Sequence, residues 1–327
     1  MSVTLADIAE RAGVSLATAS RAINGRPGVS EEKRDAVLAA ARELGMDPSR
    51  GMVREARVIV VVTPVLTDPV IAHFVDELGG QLARRGCLML VCSDSGVLLP
   101  SVHLVDGAVV LDARYAESPV VTFLESQGVP MVHLNGQSDD EDGLCVGTDV
   151  RAAMTMVLRH LMDLGHRRIG LLMGPRNRYG AQDRLEAARE CLEGRGVPYD
   201  DDMTVWTGLD VESGRLGARL LLERDATAVV CAGDELAMGA VRASRNLGLS
   251  VPGDVSVVGF GDSPMMATSV PSLTTVRQPV TRIVSFTLDA LAAMLDNPEA
   301  VVGRNVLTFE PELVARESTG PCPDGAR

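Results

Sequence analysis

The stretch "TLADIAERAGVSLATASRAING", residues 4–25, decides how the chain begins to fold. Leu5, Ile8, Ala9 and Ala12 recur at helical spacing and predict a short amphipathic helix, after which Gly13 supplies a left-handed turn. Ser15 stands where a hydroxyl caps a second helix running to about Asn24, and Gly25 and Pro27 stop it. Ala9 is small where the two helices must cross, while Val14, Ala19 and Ala22 complete the inner face. A third helix runs from the cap Ser30 through "EEKRDAVLAAAREL" to Gly45, with Val37, Ala41 and Leu44 turned inward. Two short helices joined by a tight glycine turn and braced by a third make a helix-turn-helix pattern.

The outward residues of the second helix are Leu16, Ala17, Ser20, Arg21 and Asn24. Arginine can grip guanine through two major-groove acceptors, and small apolar groups can meet thymine methyls. The same spacing also suits a plain three-helix packing unit with a polar face. The glycine at the turn, the small residues at the crossing and the terminal position favour the DNA-binding reading.

Beyond residue 57 the chain changes character. Val/Ile-rich runs at 57–63, 87–92, 107–111, 129–134, 168–173, 226–231 and 255–260 alternate with helical stretches, which argues for an α/β core with parallel sheets. Open sheets of this kind bind ligands beyond the carboxyl ends of their strands. One such end is "VVGFGD", Val257–Asp262, where a strand delivers a carboxylate to a loop. Asp262 reads as a loop-fixing residue rather than a catalyst.

A length of 327 residues suggests about two domains with real cores. The net charge of −13 argues against a nonspecific nucleic-acid coat. Residues 1–57 nevertheless carry nine basic and eight acidic side chains, net +1, which leaves −14 for the rest. The apolar run "RVIVVVTPVL" stops at Pro64 and is strand-length, so no membrane span is expected. The N-terminus lacks a secretion core, and a cytoplasmic location is expected. The six cysteines show no metal spacing and read as free thiols, with neither metal nor cofactor called for.

An enzyme finds little support. The five histidines show no HExxH spacing, and His160 and His166 do not share a helical face. No GxSxG elbow occurs, and "GPRNRYG" (174–180) lacks the Lys-Ser/Thr end of a phosphate-binding loop.

The headpiece stretch, followed by "VSEEKRDAVLAAARELG" and Pro48, resembles the LacI/GalR family of bacterial transcription regulators. The likeness extends through "HLMDLGHRRIGLLMGP" (160–175), "AVVCAGDELAMGAVRASRNLGLSVPGDVSVVGFGD" (228–262) and "PSLTTVRQPV" (271–280). It implies a DNA-binding headpiece (1–46), a hinge (47–57) and a periplasmic-binding-protein-like core (58–320), with 321–327 as a loose tail. The core would hold two parallel α/β subdomains, about 58–164 with 279–302, and 165–278 with 303–320. An effector would sit in the cleft between them, and the protein would be a homodimer. Leu16 and Ala17 match the positions that choose bases. Ser20, Arg21 and Asn24 match further DNA contacts, and Thr4, Ser15 and Thr18 match residues near phosphates.

Three departures stand out. The hinge position that inserts a leucine into the minor groove falls on Glu55; Met52 or Val53 could serve in a shifted register, or the segment could be a disordered linker. The connection between "LMLVCSDSG" and "LVDGAVVLD" is too short for a normal parallel crossover. Either a strand is lost or displaced, or one sheet face is uncovered with Val97, Leu98 and Leu99 as dimer contacts. In the cleft, Asp149 and Arg184 match groups that bind sugar hydroxyls or anionic effectors, or else serve as strand-end caps and surface charges. Gly233 and Gly261 replace polar residues, and Val70, Ile71 and Leu209 replace rings, which weakens the case for a simple hexose.

The resulting expectation is a homodimeric transcription regulator, most simply a repressor. It would bind a pseudo-palindromic double-stranded operator with an affinity set by an unidentified small molecule. The alternative is a regulator of the same fold that has lost small-molecule control and answers to a protein partner or to none.

Overall fold

A computed structural model describes residues 4–23, 29–46, 56–63, 66–93, 105–111, 118–135, 143–297 and 305–323. Helices α1 (Leu5–Arg11), α2 (Leu16–Ile23) and α3 (Glu31–Glu43) form the first unit. Thr4 opens α1 with a capping box: Asp7 N donates to Thr4 Oγ1 at 3.3 Å, and Thr4 N donates to Asp7 Oδ2 at 2.7 Å. Gly13 takes φ +65°, the left-handed turn the sequence asked for. Ser15 caps α2 by accepting from Thr18 N at 3.2 Å. Ser30 occupies the cap position of α3, but its hydroxyl makes no capping bond. Ile8, Ala9, Ala19, Ala22, Ile23, Val37, Ala40 and Ala41 are buried together, so α3 is held by packing rather than by its cap.

The remainder forms two six-stranded sheets. The first has strands β1 (Val58–Thr63), β2 (Leu88–Ser93), β3 (Gly107–Leu111), β4 (Met131–Leu134), β5 (Leu144–Thr148) and β11 (Asn305–Phe309), ordered β11-β5-β4-β3-β1-β2 and wholly parallel. The second has β6 (Ile169–Met173), β7 (Thr204–Trp206), β8 (Ala228–Cys231), β9 (Ser256–Gly261), β10 (Thr274–Arg277) and β12 (Glu312–Val314). Its order is β12-β10-β9-β8-β6-β7, with only β12 antiparallel. All seven runs predicted from β-branched residues form strands within two residues of the expected bounds.

The helices that cover the sheets are α4 (Pro69–Arg84), α5 (Pro119–Ser126), α6 (Val150–Asp163), α7 (Ala181–Gly194), α8 (Val211–Leu222), α9 (Asp234–Asn246) and α10 (Val280–Asp296). Several begin where an Asp or Ser cap precedes the first turn, as with Asp68, Ser118, Asp149 and Asp210. Helices α8 and α9 meet backbone to backbone. A Cβ on Gly214 would strike Leu236, and one on Gly239 would strike Val211 and Arg215, so both positions need glycine.

Two segments lie in the other subdomain from the one expected. The apolar face of α6 (Ala153, Met154, Val157, Leu158, Leu161, Met162) packs with Ile169, Leu171 and Met173 of the second sheet. The chain therefore crosses at Thr148–Asp149 rather than near residue 164, because Gly165 merely ends a helix. Strand β11 pairs with β5 of the first sheet, so the last crossing follows Phe309 rather than residue 302. Within the tail, residues 321–323 are described, and Cys322 N donates to Leu164 O at 2.8 Å, which ties down its start.

Among the described residues, the runs on both sides of the short connection form strands, and β2 and β3 flank β1 in parallel register. Edge strand β2 leaves Leu88 and Leu90 exposed at 59% and 43%, which favours the uncovered-face alternative. Val97, Leu98 and Leu99 lie outside the described residues.

The three crossings are stitched together. Gln278 Oε1 accepts from Thr148 Oγ1 at 2.8 Å and from Asn135 Nδ2 at 3.3 Å, while Thr148 N donates to Asn135 Oδ1 at 3.1 Å. Asp149 N donates to Phe309 O at 2.9 Å. Thr148 and Gln278 are buried, so these polar groups have their partners within the protein.

Candidate nucleic-acid interface and ligand cleft

The 3.6-residue period of α2 turns Ala19, Ala22 and Ile23 into the core and leaves Ser15, Leu16, Ala17 and Arg21 outside. Leu16 is 54% exposed, a large apolar side chain with no intramolecular reason to face water. Arg21 forms no hydrogen bond or ion pair among the described residues, so its five donors are free for a ligand. Thr18 and Ser20 are half-buried, with Thr18 bonded to Ser15 at 2.8 Å. Thr4 serves α1 as its cap and is exposed. Asn24 and the hinge residues Met52, Val53 and Glu55 lie outside the described residues.

The second candidate site lies where the carboxyl ends of the two sheets face each other. Asp68 caps α4 through Val70 N at 2.9 Å, and its other oxygen accepts from Arg178 Nη2 at 3.3 Å, an ion pair between the subdomains. Burial pushes the Glu235 carboxyl above the ordinary range; Asp68 and Asp234 add to this and Arg178 opposes it. Burial likewise raises the Tyr179 phenol, helped by Cys145, Asp183 and Asp149.

The expected cleft residues separate by role. Asp149 spends Oδ1 on capping α6, accepting from Ala152 N at 2.8 Å. Arg184 is half-buried, donates to Ala232 O at 3.2 Å and lies 4.1 Å from the Phe260 ring centroid. Gly233 caps α9 with an extended backbone. Leu209 packs on Gly174, lying 2.7 Å from where a Cβ there would stand. Ile71, in the first turn of α4, is buried, whereas its neighbour Val70 is half-buried and packs against the core of the first subdomain.

Gly261 corrects the expectation of an emptied position. A Cβ there would lie 2.7 Å from Val70 Cγ2 and 3.2 Å from Asp234 Oδ2, so the space is already taken by the opposite subdomain. Its φ of +138° also excludes ordinary L-residues. Asp262, at φ +53°, accepts from Arg277 Nε and Arg316 Nη2, both at 2.6 Å, with only 8% of its side chain exposed. It fixes the loop, as its place at the strand end suggested. Beneath it, buried Asp234 accepts from Thr275 Oγ1 at 2.6 Å and Ser263 N at 2.9 Å. Burial raises the Asp234 pKa, and these two bonds oppose the rise.

Residues 4–49 match the model of bacterial regulatory proteins of the lacI family, and residues 158–319 match the periplasmic binding protein-like domain. The HTH-type transcriptional regulator reg1 of Streptomyces lividans is 37% identical over 99% of this chain and 98% of its own length. The chain belongs to the lacI family. It is a DNA-binding transcription regulator with a helix-turn-helix headpiece and a periplasmic-binding-protein-like core. Among solved structures, the CelR–cellobiose complex superposes with a TM-score of 0.72 at 29% identity, covering 97% of this chain and 100% of that one. The Lac repressor dimer bound to operator and the anti-inducer ONPF superposes with a TM-score of 0.71 at 28% identity, covering 98% and 100%.

Within this family frame, several cleft residues escaped the sequence reading. Asp68, Arg178, Tyr179 and Glu235 carry the charge and hydrogen-bonding capacity at the cleft, and Gln278 with Asn135 holds the crossings. The Asp-Pro start of α4 was a visible signal for Asp68. "GPRNRYG" was read only as a failed phosphate loop, yet it is the segment that reaches across the cleft. Among the described residues, no helix is long and apolar enough to cross a membrane.

Proposed function

We propose that this regulator is a homodimeric repressor that reads a pseudo-palindromic operator through α2 and releases it when a small molecule occupies the cleft. The observation that carries the DNA half is the free Arg21 guanidinium beside exposed Leu16 and Ala17 on one helix face. That set suits one bidentate guanine contact flanked by apolar contacts to thymine methyls. Two headpieces would engage half-sites about one helical turn, roughly 34 Å, apart. A relative solved as a dimer on its operator supports this assembly. The site of action is the cytoplasm, and no reaction is catalysed.

Selection from randomised DNA tests the reading. Arg21→Ala, at an exposed position, should flatten the preference at one base pair per half-site, a loss of about 1–3 kcal/mol per contact. Retained preference at every position would remove α2 from base readout.

For the effector, a relative solved with cellobiose supports a carbohydrate. Such a ligand can control the operator only by binding one relative pose of the subdomains better than the other. The loss-of-control reading also has an observation in its favour. Val70 meets Gly261 and Arg178 pairs with Asp68, so the two subdomains contact each other directly across the cleft. Thermal melting of the full chain with a panel of sugars separates the two. A sugar that raises the melting temperature and weakens operator binding supports the effector, whereas an inert panel supports lost control.

A further inference from the structure

We propose that Trp206 and Arg176 form an outer sugar subsite at the mouth of the cleft, so that the effector is an oligosaccharide of at least two pyranose rings. This rests on the reading of the cleft as a carbohydrate site.

Trp206 is the only tryptophan in the chain. It ends edge strand β7 in register with Met173, the last residue of β6, and so stands at the carboxyl end of the second sheet. The segment 174–180 leaves from that same end, carrying Arg178 across to Asp68 and placing Arg176 beside the indole. Trp206, like Leu185 and Tyr199, is partly buried against the apolar cluster of the second subdomain. Over its ring lies the Arg176 guanidinium, 4.6 Å from the centroid. Arg176 is exposed and makes no hydrogen bond or ion pair among the described residues.

An exposed cation–π contact is weak and readily exchanged. The C–H face of a pyranose is a natural replacement, because it can cover an aromatic ring without desolvating a charge. The displaced guanidinium keeps five in-plane donors on a flexible stem and can reach adjacent hydroxyls of the ring that replaced it. Among the described inner-cleft residues, the Phe260 ring already lies under the Arg184 guanidinium, 4.1 Å from its centroid. Val70 fills the space beside Gly261, and Leu209 fills that beside Gly174. A single ring held within the cleft leaves the Trp206 face to Arg176. A second linked ring would use it.

The single tryptophan makes the test direct, since all indole emission comes from this site. The full-length protein is titrated with glucose, cellobiose, cellotriose, maltose and maltotriose, following tryptophan emission, with operator release measured in parallel. The expected result is a tryptophan response to di- and trisaccharides of one linkage, with affinity about tenfold or more above that for glucose, the scale of one aromatic stack. In calorimetry, Trp206→Leu, which keeps apolar packing but removes the ring, should bind disaccharide no better than monosaccharide. Arg176→Ala, at an exposed position, should lower disaccharide affinity severalfold and leave that for glucose unchanged. If a sugar releases the operator while Trp206 stays silent and Trp206→Leu responds like the parent, the subsite is refuted and the carbohydrate cleft survives. If no sugar changes either emission or operator binding, the carbohydrate reading fails and the subsite with it.

Discussion

Replacing Gly261 by alanine tests whether the two subdomains really meet at Val70. Two costs arise, and only one depends on the opposite subdomain. Holding an L-residue at φ +138° costs about 1–3 kcal/mol whatever surrounds it. The new Cβ, 2.7 Å from Val70 Cγ2, adds an overpacking cost of about 1–3 kcal/mol in a close-packed contact. Val70→Ala alone removes two half-exposed methyl groups and costs about 0.5–1 kcal/mol. In the double variant the collision with Val70 is gone while the backbone strain and the tight approach to Asp234 remain. Its destabilisation should therefore fall short of the sum of the single effects by about 1 kcal/mol or more, well beyond the additivity error of about 0.3–0.5 kcal/mol. Urea unfolding followed by Trp206 emission reads the second subdomain directly, and an unchanged m-value licenses the comparison. Additive effects within that error would mean that Val70 does not touch Gly261 in solution, and the closed cleft would fall with it.

His166 is fully buried, with Nδ1 on the Thr227 hydroxyl and Nε2 on the Ser256 hydroxyl, both at 3.0 Å. Burial lowers its pKa, opposed by the bond to Gly320 O and aided by nearby His160, so the folded state resists a proton that the unfolded chain accepts. Its contribution is fully present above the ordinary value of about 6.5 and is lost as pH falls from there towards the lower folded value. The melting temperature of the parent should therefore drop between about pH 7 and 5 more steeply than that of His166→Gln, and equal slopes would refute the assignment. Asp262→Ala removes the carboxylate from Arg316, whose side chain is 16% exposed and keeps only its bond to Leu273 O among the described residues, and should cost about 3 kcal/mol, as when one partner leaves a largely buried pair. An unchanged melting temperature would show that Asp262 does not fix this loop.

Much of this protein follows from local pattern. Leu5, Ile8, Ala9, Ala19, Ala22, Val37 and Ala41 lie within one short segment, so their spacing states both which faces are apolar and which helices must cover them. The β-branched runs likewise announce β1, β3, β4, β6, β8 and β9, because a strand buried on both faces needs no distant partner to be recognised. Strands β5, β7 and β12 escaped notice because they are short or carry polar residues, and pairing alone makes them strands. Asp262 was legible as a loop residue, since a left-handed turn after a strand is a local event.

Partner choice across long separations was not legible. The apolar face of α6 was visible, but whether the first or the second sheet would bury it depends on where the chain crosses. That crossing is set by Gln278 bonding Thr148, 130 residues away. Gly261 looked like an emptied ligand position until Val70 of the other subdomain was found in its place. The sequence by itself determined the helix-turn-helix, the α/β class and the face of α2 that stays exposed, because each depends on contacts between near neighbours. Only the tertiary structure decided what lines the cleft, since Asp68 and Arg178, or Trp206 and Arg176, become neighbours through sheet register and subdomain closure.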